Sequence, residues 1–99
     1  MAIKKQYLKS RPVCKATFSL TAPEAKGVKI VGDFNDWNPE TGFEMKRLKS
    51  GVFKATLNLD KDQNYQFRYL IDGTDWENDW EADAYVPTPY GVENSVAVL

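Results

Sequence analysis

The sequence predicts an all-β fold, an immunoglobulin-like antiparallel β-sandwich, and three observations carry that prediction. Apolar residues recur with a period of two rather than the about 3.6 of a helix. The alternating runs are short and bounded by Gly, Pro, Asn or Asp. The chain has 99 residues, room for one domain, and about five to seven short strands at this spacing fit a two-sheet sandwich.

Taken in order, residues 1–12 read as an N-terminal arm or first edge strand, and 13–99 as the sandwich domain. Strict alternation begins in Cys14-Lys15-Ala16-Thr17-Phe18-Ser19-Leu20. A turn-like Ala22-Pro23-Glu24-Ala25-Lys26-Gly27 leads to a second strand at Val28-Lys29-Ile30. A weaker strand spans Glu44 to Leu48, with Lys49-Ser50-Gly51 as a hairpin turn into Val52. Phe53-Lys54-Ala55-Thr56-Leu57-Asn58-Leu59 alternates throughout. In Tyr65-Gln66-Phe67-Arg68-Tyr69-Leu70-Ile71 the alternation sets Tyr65, Phe67, Tyr69 and Ile71 on one face. Asn94 to Leu99 closes the chain, with Val96 and Val98 as the expected core pair. Alternation of this kind belongs to antiparallel sheets with one wet face.

Composition excludes several functions. Apolar residues make up 42% and charged residues 27%, ordinary for a globular domain, and the net charge is −1. That balance draws in neither nucleic acid nor an anionic membrane surface. The basic cluster Lys4, Lys5, Lys9, Arg11 and Lys15 lacks interleaved aromatic residues for base stacking and reads as a solvated arm or edge strand. Cys14 is the only cysteine, on the apolar phase of its strand, so it reads as a buried inert thiol. The N-terminus shows no apolar signal core and no segment of about 20 apolar residues exists, so a cytoplasmic location is expected. Histidine is absent, which removes the commonest general base and the usual zinc ligand. No phosphate-binding glycine loop occurs. Neither a metal nor a cofactor is expected.

The aromatic residues divide into two groups. Phe18, Phe53, Tyr65, Phe67 and Tyr69 lie on apolar strand phases and need only a core. Trp37 and Trp76 lie in loops, Gly32-Asp33-Phe34-Asn35-Asp36-Trp37-Asn38-Pro39 and Asp72-Gly73-Thr74-Asp75-Trp76-Glu77-Asn78-Asp79. Two explanations stand open for them at this point: a contact surface, or indoles folded back over the ends of the sandwich. A pyranose offers an apolar C–H face and a rim of hydroxyls, which an indole plus planar hydrogen-bonding groups would match. Arg68, on the polar phase of its strand, has a fork suited to two vicinal hydroxyls. The acidic run from Asp72 to Asp83 could in principle pair carboxylates for glycoside hydrolysis or hold calcium. Its spacing fits no EF-hand loop, and a single acidic loop offers little cleft to exclude water.

The motifs resemble those of family 48 carbohydrate-binding modules. That group includes the glycogen-binding domain of the AMP-activated protein kinase β subunit and the N-terminal domains of isoamylases and branching enzymes. Val28-Lys29-Ile30-Val31-Gly32-Asp33-Phe34-Asn35-Asp36-Trp37 resembles the family's V-x-L-x-G-x-F-N-x-W opening. Tyr65 to Gly73 is similar to its Y-x-[FY]-[KR]-[FY]-x-[VI]-D-G strand, Trp76 and Asp79 to the W-x-x-D that follows, and Tyr90-Gly91-Val92-Glu93-Asn94-Ser95-Val96 to its closing motif. The similarity runs from about Ala16 to Leu99 with the motifs in order.

The resemblance implies an early-set immunoglobulin-like sandwich that binds α-1,4-linked glucans such as glycogen, starch and maltooligosaccharides. It assigns stacking to Trp37 and Trp76, hydroxyl contacts to Arg68 and Asn94, and insertion into the curve of the glucan to Tyr90. The chain departs from the family pattern at three places. The loop Gly73-Thr74-Asp75-Trp76 is one residue longer than in the kinase module, which could displace the second indole. Val92 stands where Thr is frequent. Trp80 stands where Pro is common, and is expected to pack inside. Some family members serve mainly as interfaces, so the alternative is a protein-interaction module, associated with a glucan-processing enzyme or kinase complex, whose sugar site is weak or vestigial. A free-standing enzyme built on the acidic run is a third reading. Arg68 and Asn94 together with both tryptophans favour the first, an α-glucan polysaccharide or oligosaccharide ligand and no catalysis, with a glucan-metabolising enzyme as a further partner and neither nucleic acid nor membrane.

Overall fold

The alternating runs become the strands of two antiparallel sheets in the computed structural model, which describes residues 3–99; the first two residues of the expected arm lie outside the described residues. One sheet has the order β1 (Lys4–Tyr7), β2 (Val13–Thr21), β6 (Val52–Asp60), β5 (Lys46–Arg47). The other runs β4 (Phe43–Glu44), β3 (Val28–Gly32), β7 (Asn64–Ile71), β10 (Glu93–Val98), β9 (Ala84–Pro87), with β8 (Asp75–Glu77) also on β7. The architecture is an all-β, immunoglobulin-like sandwich. Among the described residues, no helix is long and apolar enough to cross a membrane.

The core lies where the alternation predicts. β2 turns Cys14, Ala16, Phe18 and Leu20 inward, and β6 opposes them with Phe53, Leu57 and Leu59. The second sheet contributes Val28, Ile30, Phe67 and Tyr69, all buried, with Tyr65 and Ile71 packed at the margin. Phe18 and Phe67 bridge the sheets edge to face at 4.9 Å, and Phe67 meets Tyr69 at 5.6 Å in the same manner. Such aromatic pairs contribute about 0.5–1.5 kcal/mol beyond the area they bury. Cys14 is fully enclosed.

Three expectations are corrected. In β10 the phase is opposite to that expected: Ser95 and Ala97 face the core, Val96 is buried on the outer side of the sheet, and Val98 is 44% exposed. Ser95 lies opposite Phe67, where two large rings already fill the space, so small residues fit inward. The single strand expected over Glu44 to Leu48 is divided at the buried Met45, so that β4 joins one sheet and β5 the other. Trp80 does not pack inside; it is 80% exposed, while its neighbour Asp79 takes the interior position.

Asp79 is 2% exposed and fully engaged. Its carboxylate accepts the Tyr69 hydroxyl at 2.7 Å and the Glu81 N–H at 2.8 Å. Its own N–H donates to Ser95 Oγ at 2.8 Å, and its carbonyl accepts the Tyr85 hydroxyl at 2.6 Å. Burial, then the Asp79 charge and the bond to it, hold the Tyr69 phenol far above its ordinary ionisation range. A buried carboxylate is tolerated when bonded this completely.

Candidate functional site

The register of the second sheet determines which side chains share its outer face. Val31 pairs with Arg68 and Leu70 with Trp76, so these residues point to one side. Val96 pairs with Gln66, and Asn94 with Val86, which extends the same face across β10 and β9. β10 covers Asn64 to Phe67 of β7, and β8 covers Tyr69 to Ile71 on the same edge. Arg68 therefore lies at the junction where β8 ends and β10 begins, with Trp76 to one side and Asn94 to the other.

The first indole depends on a built turn after β3. Gly32 closes that strand with its backbone against β7: a Cβ there would meet the Gln66 carbonyl at 2.3 Å and the Phe67 Cβ at 2.8 Å. The Asn35 side chain accepts from the Gly32 N–H at 3.0 Å and donates to the Asn38 carbonyl at 2.9 Å, closing the turn on itself. Phe34 anchors it by ring contacts to Phe18, Phe43 and Tyr65 at 5.8–6.4 Å. Asp36 and Trp37 both adopt left-handed backbone, with φ of 57° and 58°. That conformation is uncommon for a bulky residue and aims the ring. The Trp37 Nε1–H donates to Asp33 Oδ1 at 2.8 Å, and Asp33 Oδ2 accepts the Gln66 N–H at 2.8 Å. One carboxylate thus ties the indole to the strand that carries Arg68.

Trp76 does not lie in a free loop. Asp72 and Gly73, with φ of 52° and 74°, turn the chain so that β8 pairs back on β7. The longer loop is absorbed in this hairpin, and Trp76, 43% exposed, stays on the Arg68 face. Tyr90 tips the β9–β10 hairpin, 89% exposed. Gly91 with φ of 80° permits the turn, and the Thr88 N–H and hydroxyl both donate to the Val92 carbonyl, at 2.8 and 2.7 Å.

All five residues expected at a site, Trp37, Arg68, Trp76, Tyr90 and Asn94, line one open concavity of about 590 Å³. That volume falls within the about 300–1,000 Å³ usual for small-molecule sites. Sequence reasoning missed Gln66 and Thr88 on its lining, and Asp33 behind Trp37; Val92, noted as a departure from the family pattern, also lines it. Gln66 was accessible to it, standing two residues before Arg68 on the same polar phase. Asn94 donates to Gln66 Oε1 at 3.0 Å, which leaves the Asn94 carbonyl and the Gln66 amide hydrogens for other partners. The Arg68 guanidinium has no hydrogen bond or ion pair among the described residues, and its Nε is buried without a partner. A second hollow of about 540 Å³, lined by Lys26, Lys29, Met45, Arg47 and Leu70 among others, contains none of the expected residues. Its only ring, Phe53, is buried, so it offers no flat exposed surface.

The acidic run is dispersed over the fold. Asp72 accepts the Lys26 and Gly27 N–H groups, Asp79 is enclosed, and Asp83 pairs with Lys5 at 2.7 Å and accepts the Val98 N–H. These carboxylates hold the sandwich together.

The fold is an immunoglobulin-like sandwich with one open concavity that gathers the expected residues, and the family comparison identifies it as a carbohydrate-binding module. The chain belongs to carbohydrate-binding module 48, the isoamylase N-terminal domain family, whose model matches residues 7–86. It is 32% identical over 82 residues to the 1,4-alpha-glucan branching enzyme GlgB of Fusobacterium nucleatum subsp. nucleatum, covering 81% of this chain and 13% of that enzyme. It is 43% identical over 54 residues to the GlgB of Deinococcus radiodurans, covering 52% of this chain and 7% of the enzyme. The match to the Lactobacillus acidophilus GlgB is 42% over 52 residues, 52% of this chain and 8% of the enzyme. The chain thus spans only a small part of the length of these relatives.

Proposed function

We propose that this chain binds α-1,4-linked glucans, such as glycogen, starch and maltooligosaccharides, without catalysis. Trp37 and Trp76 stack on the C–H faces of glucose units, Arg68 and Asn94 bond to the hydroxyl rim, and Tyr90 fills the curve of the chain. The observation that carries this reading is the uncommitted, half-buried Arg68 guanidinium sharing one open concavity with two indoles. A buried donor without a partner is unfavourable in the free protein, by about 1–3 kcal/mol, and a ligand oxygen would relieve it. The charge balance fits a neutral ligand: the concavity has one cation and no carboxylate on its lining. The relatives named above are enzymes of 1,4-alpha-glucan, which supports that polymer as the ligand and a glucan-metabolising enzyme as a partner. The commitment of Asp72, Asp79 and Asp83 to structural bonds supports a binding role over a hydrolytic one.

Affinity should be modest, with Kd on the order of micromolar to millimolar, because each hydroxyl bond replaces one to water. Native electrophoresis in gels containing glycogen or amylopectin tests the reading. The expected result is retarded migration of the native chain, lost in Trp37→Ala and Trp76→Ala, since truncating an aromatic anchor costs about tenfold or more in affinity. Equal mobility of native and variant chains with and without polysaccharide would contradict it.

A further inference from the structure

We propose that the glucan-binding surface continues beyond the first concavity into the hollow beside it, where Trp80 with Tyr85 forms a second stacking platform for the same polymer. This extension rests on the glucan reading of the first concavity. The adjoining hollow measures about 610 Å³ and shares Trp76 and Val92 with its neighbour. A chain that leaves the first concavity over Val92 therefore meets Trp80 and Tyr85 next.

Trp80 is unusual for its exposure and for the rigidity beneath it. The residue is 80% exposed, and its ring makes no hydrogen bond or ring contact among the described residues. Packing gives no reason for an indole there. Yet the turn that carries it is clamped by the network around Asp79, whose N–H, carbonyl and both carboxylate oxygens are all bonded. The ring thus stands on a fixed base, and little backbone order need be lost when a ligand settles on it. The Tyr85 hydroxyl already donates to the Asp79 carbonyl, so Tyr85, 41% exposed, offers chiefly its ring.

The chemistry around the rings identifies the ligand class. Glu77 and Glu93 border the hollow, and no Lys or Arg does. Carboxylates accept hydrogen bonds from hydroxyls and repel phosphate or other anions. A neutral, polyhydroxylated ligand with repeated flat apolar faces satisfies both hollows in succession. A polymer of identical units is the ligand that gains from aromatic platforms in two adjoining hollows, because the second engagement is intramolecular. An oligosaccharide short enough to fill the first concavity alone gains nothing from the second platform.

The test compares ligand lengths across two variants. Binding of maltotriose and of glycogen is followed by tryptophan fluorescence and affinity electrophoresis, with thermal melts confirming that each variant is folded. Trp80→Ala is expected to bind maltotriose within about twofold of the native chain and glycogen about fivefold or more weakly. Trp37→Ala is expected to lose both. Native binding of both ligands by Trp80→Ala, with both lost in Trp37→Ala, would overturn the extension and leave the first concavity as the glucan site. Equal loss of maltotriose and glycogen in Trp80→Ala would also overturn it, since one platform would then serve both. Unchanged binding in Trp37→Ala would sink the reading of the first concavity and the extension with it. A native dimer that Trp80→Ala converts to monomer, with glucan binding intact, would assign the indole to self-association instead.

Discussion

Strand β7 has two faces with opposite fates. Inward, Phe67 and Tyr69 are sealed against Phe18 and the Asp79 network, with every polar atom named there bonded. Outward, Gln66 and Arg68 stand in an open concavity with hydrogen-bonding capacity left unspent. The same alternation produces both, so one strand can stabilise a sandwich and leave polar side chains free in a concavity without compromise between them. Substitutions on the inner face should move stability, and those on the outer face should move binding.

The largest effect expected from that contrast is on the inner face. Phe67→Ala removes a ring that bridges the sheets and should destabilise by about 3–5 kcal/mol. Against a typical total of about 5–15 kcal/mol, that is visible as a large drop in urea midpoint. A drop below about 1 kcal/mol would mean that the sheets are not held by this contact.

Next in size is a pH effect that only the inner face should produce. The Tyr69 phenol is raised above its ordinary value of 10.0 by burial, then by Asp79. Above that pH the unfolded chain releases the proton and the folded chain keeps it, so the unfolded state binds fewer protons. Stability is therefore fully present below about pH 10 and falls as pH rises, by about 1.4 kcal/mol per pH unit for one proton. Tyr65, raised by burial and then by Asp60, acts in the same sense. Alkaline denaturation curves of Tyr69→Phe should be flatter than native; the same slope in both would remove this phenol from the account.

The smallest effect sharpens the outer face. Arg68→Met deletes a guanidinium whose Nε is buried without a partner, while a similar length of apolar stem is kept. Stability should be unchanged or rise by up to about 1 kcal/mol, and glycogen affinity should fall by about three- to tenfold. A loss of stability with binding intact would reverse the roles of the faces.

Much of the fold could be read from the sequence because burial on one side of a sheet imposes a period of two. The phases of β2, β6 and β7 follow from it directly, down to Phe18, Leu57 and Tyr69. It failed where hydropathy does not decide the phase. In Ser95-Val96-Ala97-Val98 both phases are plausible on side-chain type, and the choice belongs to the rings of β7 opposite. It failed again at Asp79 and Trp80, where a fully bonded carboxylate displaces an indole from the interior. Trp76 was expected in a loop because Asp72-Gly73-Thr74 reads as turn, yet three residues further the chain already pairs with β7. For the site, alternation alone placed Arg68 outward, position in polar loops singled out Trp37 and Trp76, and the family motifs supplied Tyr90 and Asn94 as companions. The left-handed backbone at Asp36 and Trp37, and the Asp33 carboxylate behind the indole, come from tertiary contacts that no local pattern announces.

The most direct test is amide and side-chain NMR of the labelled chain titrated with β-cyclodextrin. The account predicts the strongest shifts at the Trp37 and Trp76 indole N–H signals, the Arg68 Nε–H and the Asn94 and Gln66 carboxamides, with Phe67 and Tyr69 little moved. Shifts confined to the hollow of Lys26, Met45 and Leu70, or none at saturating ligand, would contradict it.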